Sequence, residues 1–196
     1  MDPVYIVDSI RTPRARANNR GGLNKLNPYE LLDYLYKDFE QKNFLNLHSI
    51  DEVILGCVTQ HGEQAGNIAK VSTLFSGYPD SISGLTINRF CSSSLDAINL
   101  ACLKVQSQQA NNVIAGGVEM MSRVPMLSDE AAIWSDIEIA GRAKIFLMGS
   151  GADLIASLFD ISRDDVDKQA LKSQQNALNA QKNNYFKSII PITCKS

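Results

Sequence analysis

Cys91 stands in the run NRFCSSSLDAI, residues 88 to 98, where an apolar, β-like stretch gives way to a helical one. A cysteine at such a junction is placed to act as a nucleophile. The following helix aims its unpaired backbone N–H groups at the sulfur, and their partial positive charge favours thiolate over thiol. The thiolate is the reactive form. Three small hydroxyl residues, Ser92, Ser93 and Ser94, leave room for a substrate carbonyl to approach the helix end. Against this stands the habit of free cysteine to be an inert core residue.

Other residues invite chemistry less strongly. His61, in CVTQHGEQ, and His48 are the two histidines, and a Cys–His pair of the papain kind is conceivable because sequence distance does not forbid it. Met148-Gly149-Ser150-Gly151 has the look of a phosphate cradle but lacks a P-loop lysine, and reads as a turn. Asp160, Asp164, Asp165 and Asp167 resemble a metal cluster, yet acids at a helix start are expected from capping and the helix dipole. Four cysteines (Cys57, Cys91, Cys102 and Cys194) show no C-x-x-C spacing, so no metal site is expected. Cys91 and Cys102 share a predicted helix about 16 Å apart at the helical rise, too far to be bridged.

The elements that must position Cys91 alternate in type. VYIVDSI, EVILGCV, GLTINRF and NVIAGGV read as strands. Between them lie a helix opened by Asn27-Pro28-Tyr29-Glu30, a second over residues 65 to 76, and a third after Cys91 with Leu95, Ile98, Cys102 and Val105 at helical spacing. Leu31, Leu35 and Phe39 recur on one face of the first. This order predicts an α/β fold, a mainly parallel mixed sheet with helices on both faces. After Gly117 the pattern becomes irregular, then helical over Ala152 to Phe159 and Ser162 to Asn183, with Ser162 and Asp165 as a capping box variant.

Read together, NRFCSSSLDAI, VDSIRTP, EQAGNIAK, GGVEMMSRVPM, LMGSGADLIA and ISRDDVDKQALKSQQNALNAQ resemble segments of the thiolases, the acyl-CoA C-acyltransferases, in thiolase order. The resemblance runs over essentially the whole chain and corresponds to the N-terminal half of a family member. It implies a thiolase-like α/β domain over residues 1–117, lacking a strand, and a helical loop domain over residues 118–196 that covers the active site. It implies an acyl-enzyme on Cys91 formed from a coenzyme A thioester, with the Cys91 backbone N–H serving also as an oxyanion donor. Coenzyme A thioesters are then substrates, and no resident cofactor is expected. Met148 matches a family methionine that lies against the pantetheine and acyl end of the ligand; without the resemblance it reads equally as a flexible core filler.

Departures from the family pattern are Ser94, where glycine is common and a hydroxyl would narrow the space beside the sulfur, Leu147 in place of histidine, and Gly151 and Asp153 in place of threonine and glutamate. The family's Gly-His-Pro and later Cys-x-Gly motifs do not occur in these 196 residues. Activation of Cys91 is therefore expected from a second thiolase half, with a non-catalytic remnant or assembly subunit as the alternative. The resemblance also implies a homo-oligomer paired through the strand around Leu85 to Arg89.

Composition excludes other classes. A formal charge of −2 from 19 basic and 21 acidic residues gives no basis for nucleic-acid binding. No apolar run approaches the roughly 20 residues that span a bilayer, and an acidic residue near the start does not suit a signal peptide. The expected location is cytoplasmic.

Overall fold

The computed structural model describes residues 3–42 and 47–194. Three strands form one sheet: β1 (Glu52–Gly56), β2 (Ser83–Ile87) and β3 (Val113–Gly117), in the order β2-β1-β3. All pairings are parallel, with Ile54 level with Leu85 on one side and Ala115 on the other. The central strand EVILG is buried at every position, as a parallel strand covered on both faces must be. The pleat sends Val53 and Leu55 one way, against Leu32 and Tyr36 of α1 (Pro28–Lys42) and Ile68 and Ala69 of α2 (Ile68–Phe75). It sends Ile54 the other way, against Ala97 and Ala101 of α3 (Ser93–Gln106).

Local chemistry starts α1 where the sequence places its start. Asn27 caps α1 reciprocally with Glu30: the Glu30 N–H donates to Asn27 Oδ1 at 2.9 Å and the Asn27 N–H to Glu30 Oε2 at 2.8 Å. The second helix is shorter than residues 65 to 76. It begins after Asn67, which takes a left-handed φ of 57° and accepts the Lys70 N–H through its side chain.

VYIVDSI forms no strand: Tyr5 and Ile6 are each 76% exposed, and among the described residues the pairing nearby is an isolated bridge of Arg11 with Ile189. β-propensity is realised only beside a partner strand, and among the described residues none runs along this segment. The helix expected from the spacing of Leu95, Ile98, Cys102 and Val105 is present as α3, and the residues it buries are Ser93, Ala97 and Ala101. Small side chains let the helix sit close, and Leu95, Ile98 and Leu103 are left outside.

By packing, the chain forms two compact units, residues 1–129 with 188–196, and residues 130–187. Residues after 187 do return to the first unit. The Arg11 N–H donates to Ser188 O at 2.9 Å and the Ile190 N–H to Arg11 O at 3.0 Å, and Ile190 is buried. The second unit contains α4 (Ile137–Arg142), α5 (Met148–Leu158) and α6 (Arg163–Lys182), none of which buries a residue. Met148 to Gly151 form the first turn of α5, not a loop turn.

Candidate active site

The carboxyl ends of β1, β2 and β3 point to one edge of the sheet, where open parallel sheets bind ligands. From β2 the chain passes through Asn88, Arg89 and Phe90 to Cys91 and enters α3 at Ser93. Phe90 has a φ of 48°, an uncommon left-handed conformation for an aromatic residue, and marks a sharp strand-to-helix turn. Hydrogen bonds hold that turn from inside. The Phe90 N–H donates to Asn88 Oδ1 at 2.8 Å, the Arg89 N–H to Ser93 Oγ at 2.8 Å, and Ser93 Oγ–H to Phe90 O at 2.6 Å. Arg89 also pairs with Asp96 on the first turn of α3. Ser93 is buried, whereas Cys91 is exposed at the end of the helix.

Two glycines allow α3 to come this near. A Cβ on Gly56, the last residue of β1, would stand 2.5 Å from Ser94 N, and one on Gly117, the last of β3, would collide with Ser94 Oγ. The Ser94 hydroxyl therefore lies over the end of β3, which is where this departure from the expected glycine takes its space.

The remaining cysteines have other settings. All four are free. Cys57, just after β1, is buried, and its thiol is pushed up to about 12, first by desolvation and then by the nearby Glu119 carboxylate. Cys102 and Cys194 are half-buried. His61 is exposed at the start of a short 3₁₀ turn, its side chain making no capping bond there.

Beside the nucleophile turn lies a polar brace that the sequence reading did not single out. Glu119, two residues past β3, accepts the Val58 N–H at 2.5 Å and the Thr59 N–H at 3.2 Å on one oxygen, and Gln64 Nε2 at 3.0 Å on the other. Gln64 is fully buried; it also donates to Thr59 O at 2.9 Å and accepts the Met120 N–H at 2.6 Å. Outside this brace Arg123 grips both oxygens of Glu63, which holds the Glu63 carboxyl below the usual carboxylate range. Glu119 and Gln64 lie in the motifs GGVEMMSRVPM and EQAGNIAK, and an acid two residues after a strand ending in two glycines was the available signal.

The family model described as "Thiolase, N-terminal domain" matches residues 4–196. The chain belongs to the thiolase family. It is 35% identical over 214 residues to the 3-oxoadipyl-CoA/3-oxo-5,6-dehydrosuberyl-CoA thiolase of Escherichia coli K12, an alignment covering 100% of this chain and 53% of that protein. It is 36% identical to the beta-ketoadipyl-CoA thiolase of Pseudomonas knackmussii, with 98% and 52% covered. The crystal structure of the Bacillus anthracis acetyl-CoA acetyltransferase superposes with a TM-score of 0.80 at 30% identity, covering 97% of this chain and 51% of that one. The chain thus spans about half the length of the curated thiolases it matches, and the α/β architecture expected from the thiolase resemblance is the one found.

In the second unit of this thiolase half, Met148 opens α5 and is 70% exposed. Asp165 and Ser162 form the capping box of α6, with the Asp165 N–H donating to Ser162 Oγ at 3.2 Å and the Ser162 N–H to Asp165 Oδ2 at 3.2 Å. Among the described residues no group of three or more metal-ligating side chains converges. No described helix is long and apolar enough to cross a membrane.

Proposed function

We propose that this chain is the nucleophile-bearing half of an acyl-CoA C-acyltransferase. Cys91 Sγ attacks the carbonyl of an acyl-CoA; the bond from sulfur to the acyl carbon forms, the bond from that carbon to the CoA sulfur breaks, and CoA leaves as its thiol with the proton shed by Cys91. The acyl group on Cys91 then condenses with the carbanion of a second acetyl-CoA or, in the degradative direction, is removed by CoA. The observation that carries this reading is an exposed cysteine in a strained, hydrogen-bonded turn at the carboxyl edge of a parallel sheet. A second thiolase half supplies the activating base and the remaining oxyanion donors. No resident cofactor is required.

Met148, exposed at the start of α5, is proposed to meet the pantetheine and acyl end of the ligand. A second copy of the chain is proposed to pair along Leu85 to Arg89. In support, β2 is an edge strand, and Ile87, Asn88 and Arg89 line an open groove with Asp96, Leu100 and Leu103 of α3. Exposed edges and apolar patches favour association. Four free cysteines agree with a reducing, cytoplasmic compartment.

Incubation of the purified chain with acetyl-CoA, followed by peptide mapping, tests the chemistry. One acetyl group on the Cys91 peptide is expected, formed slowly and without multiple turnovers until a C-terminal thiolase half is added. Absence of the adduct from Cys91 while the chain is folded would leave the non-catalytic reading in its place. Sedimentation at several concentrations tests the seam: Ile87→Lys is expected to shift the chain towards monomer, and a wild-type monomer at all concentrations rejects the pairing.

A further inference from the structure

The brace around Glu119 reaches the nucleophile turn through one residue, Val58. The Val58 N–H donates to Glu119 Oε1 at 2.5 Å, and the Val58 carbonyl accepts from Asn88 Nδ2 at 3.1 Å. The same Asn88 side chain accepts the Phe90 N–H at 2.8 Å and so sets the left-handed residue directly before Cys91. A second link runs alongside, the Cys57 N–H donating to Ile87 O at 3.0 Å. We infer that Glu119 is a positioning residue for the Cys91 nucleophile, acting through Val58 and Asn88, with Gln64 fixing the carboxylate.

Three observations carry the inference. The carboxylate is filled on both oxygens: two backbone N–H groups meet one and a buried carboxamide meets the other, so its orientation is determined. Gln64 has its own orientation fixed, because its oxygen takes the Met120 N–H and its nitrogen therefore faces Glu119. The brace joins segments 55 to 61 residues apart at the carboxyl ends of β1 and β3, so the position of the turn after β2 is referred to both other strands. A nucleophile misplaced by about 1 Å can lose on the order of a hundredfold in rate. A carboxylate acting through Val58 and Asn88 can hold that margin.

The inference rests on Cys91 as the acylated nucleophile, so the experiment reads the turn in two ways. Hydrogen exchange of the Asn88–Ser93 peptide reports its order without any acylation, and the rate of acetyl transfer from acetyl-CoA to Cys91 reports its alignment. In Glu119→Ala, exchange is expected to rise in that peptide but not across α1 and β1, and acetylation to slow by about tenfold or more. Glu119→Gln keeps an acceptor for the Val58 N–H and is expected to recover part of both. Asn88→Ala combined with Glu119→Ala is expected to be little worse than either alone, since both cut one chain of contacts. Where Glu119→Ala does not fold, Glu119→Gln is read against wild type on the same two measurements. Unchanged exchange in the Asn88–Ser93 peptide, or loosening spread evenly over the sheet, overturns the positioning role. Wild-type protein that is not acetylated at all fails the acyltransferase reading, while the exchange arm still decides whether Glu119 orders the turn.

Discussion

Residues 52–56 and residues 148–158 are both rich in apolar side chains, but they use them differently. The strand EVILG has every residue buried. Helices α5 and α6 bury none, and Leu154, Ile155, Leu158, Phe159, Leu171 and Leu178 are each nearly half or more exposed. The first region owes its conformation to what surrounds it. Helices α5 and α6 owe theirs to local devices, chiefly the Ser162–Asp165 box and good helix formers along α6. Apolar content alone therefore does not locate a core; the core lies where a pleat or helix face meets a covering layer.

Ile54→Ala should separate the two regions most sharply. Ile54 is fully buried between β1's neighbours and α3, so the loss is expected at about 2–5 kcal/mol, measured by urea unfolding. Leu171→Ala on α6 is expected within about 0.5 kcal/mol by the same assay, and a comparable loss there would break the contrast. Next in size is Gly56→Ala, whose added methyl meets the backbone of Ser93 and Ser94; about 1–3 kcal/mol is expected, together with altered alkylation of Cys91.

Ser162→Ala removes the cap of α6 and is expected to cost that helix about 1 kcal/mol, seen as faster hydrogen exchange within 163–170 and an unchanged main unfolding transition. The smallest effect concerns pH. Arg123 lowers the folded-state pKa of Glu63, so this pair stabilises the fold above the unfolded carboxylate pKa, and the contribution is lost as pH falls through the folded value. Both side chains are a third or more exposed, which keeps the effect below about 1 kcal/mol. Glu63→Gln should remove that part of the acid dependence of the unfolding midpoint.

Features set by neighbours in sequence were the legible ones. The Asn27–Glu30 and Ser162–Asp165 boxes need only three residues of separation, and the Cys91 junction needs only an apolar run followed by a helical one. Three of the four expected strands were legible from local apolar runs, although each forms only because partner strands lie beside it. What escaped depends on remote partners. Residues 4–10 have strand-forming side chains but no strand beside them among the described residues. The packed face of α3 is not set by the spacing of its large apolar residues, because the approach allowed by Gly56 and Gly117 selects Ala97 and Ala101. The brace joins Gln64 to Glu119 across 55 residues, a spacing no motif announces.

The contact of α3 with Gly56 and Gly117 works as an end stop. The helix advances towards the sheet until atoms touch, and hard-sphere repulsion, unlike an ion pair, hardly responds to ionic strength, pH or modest heating. The depth at which Cys91 stands at the sheet edge is thus a machined tolerance of two missing methyl groups, carried unchanged through conditions that loosen the charged contacts around it.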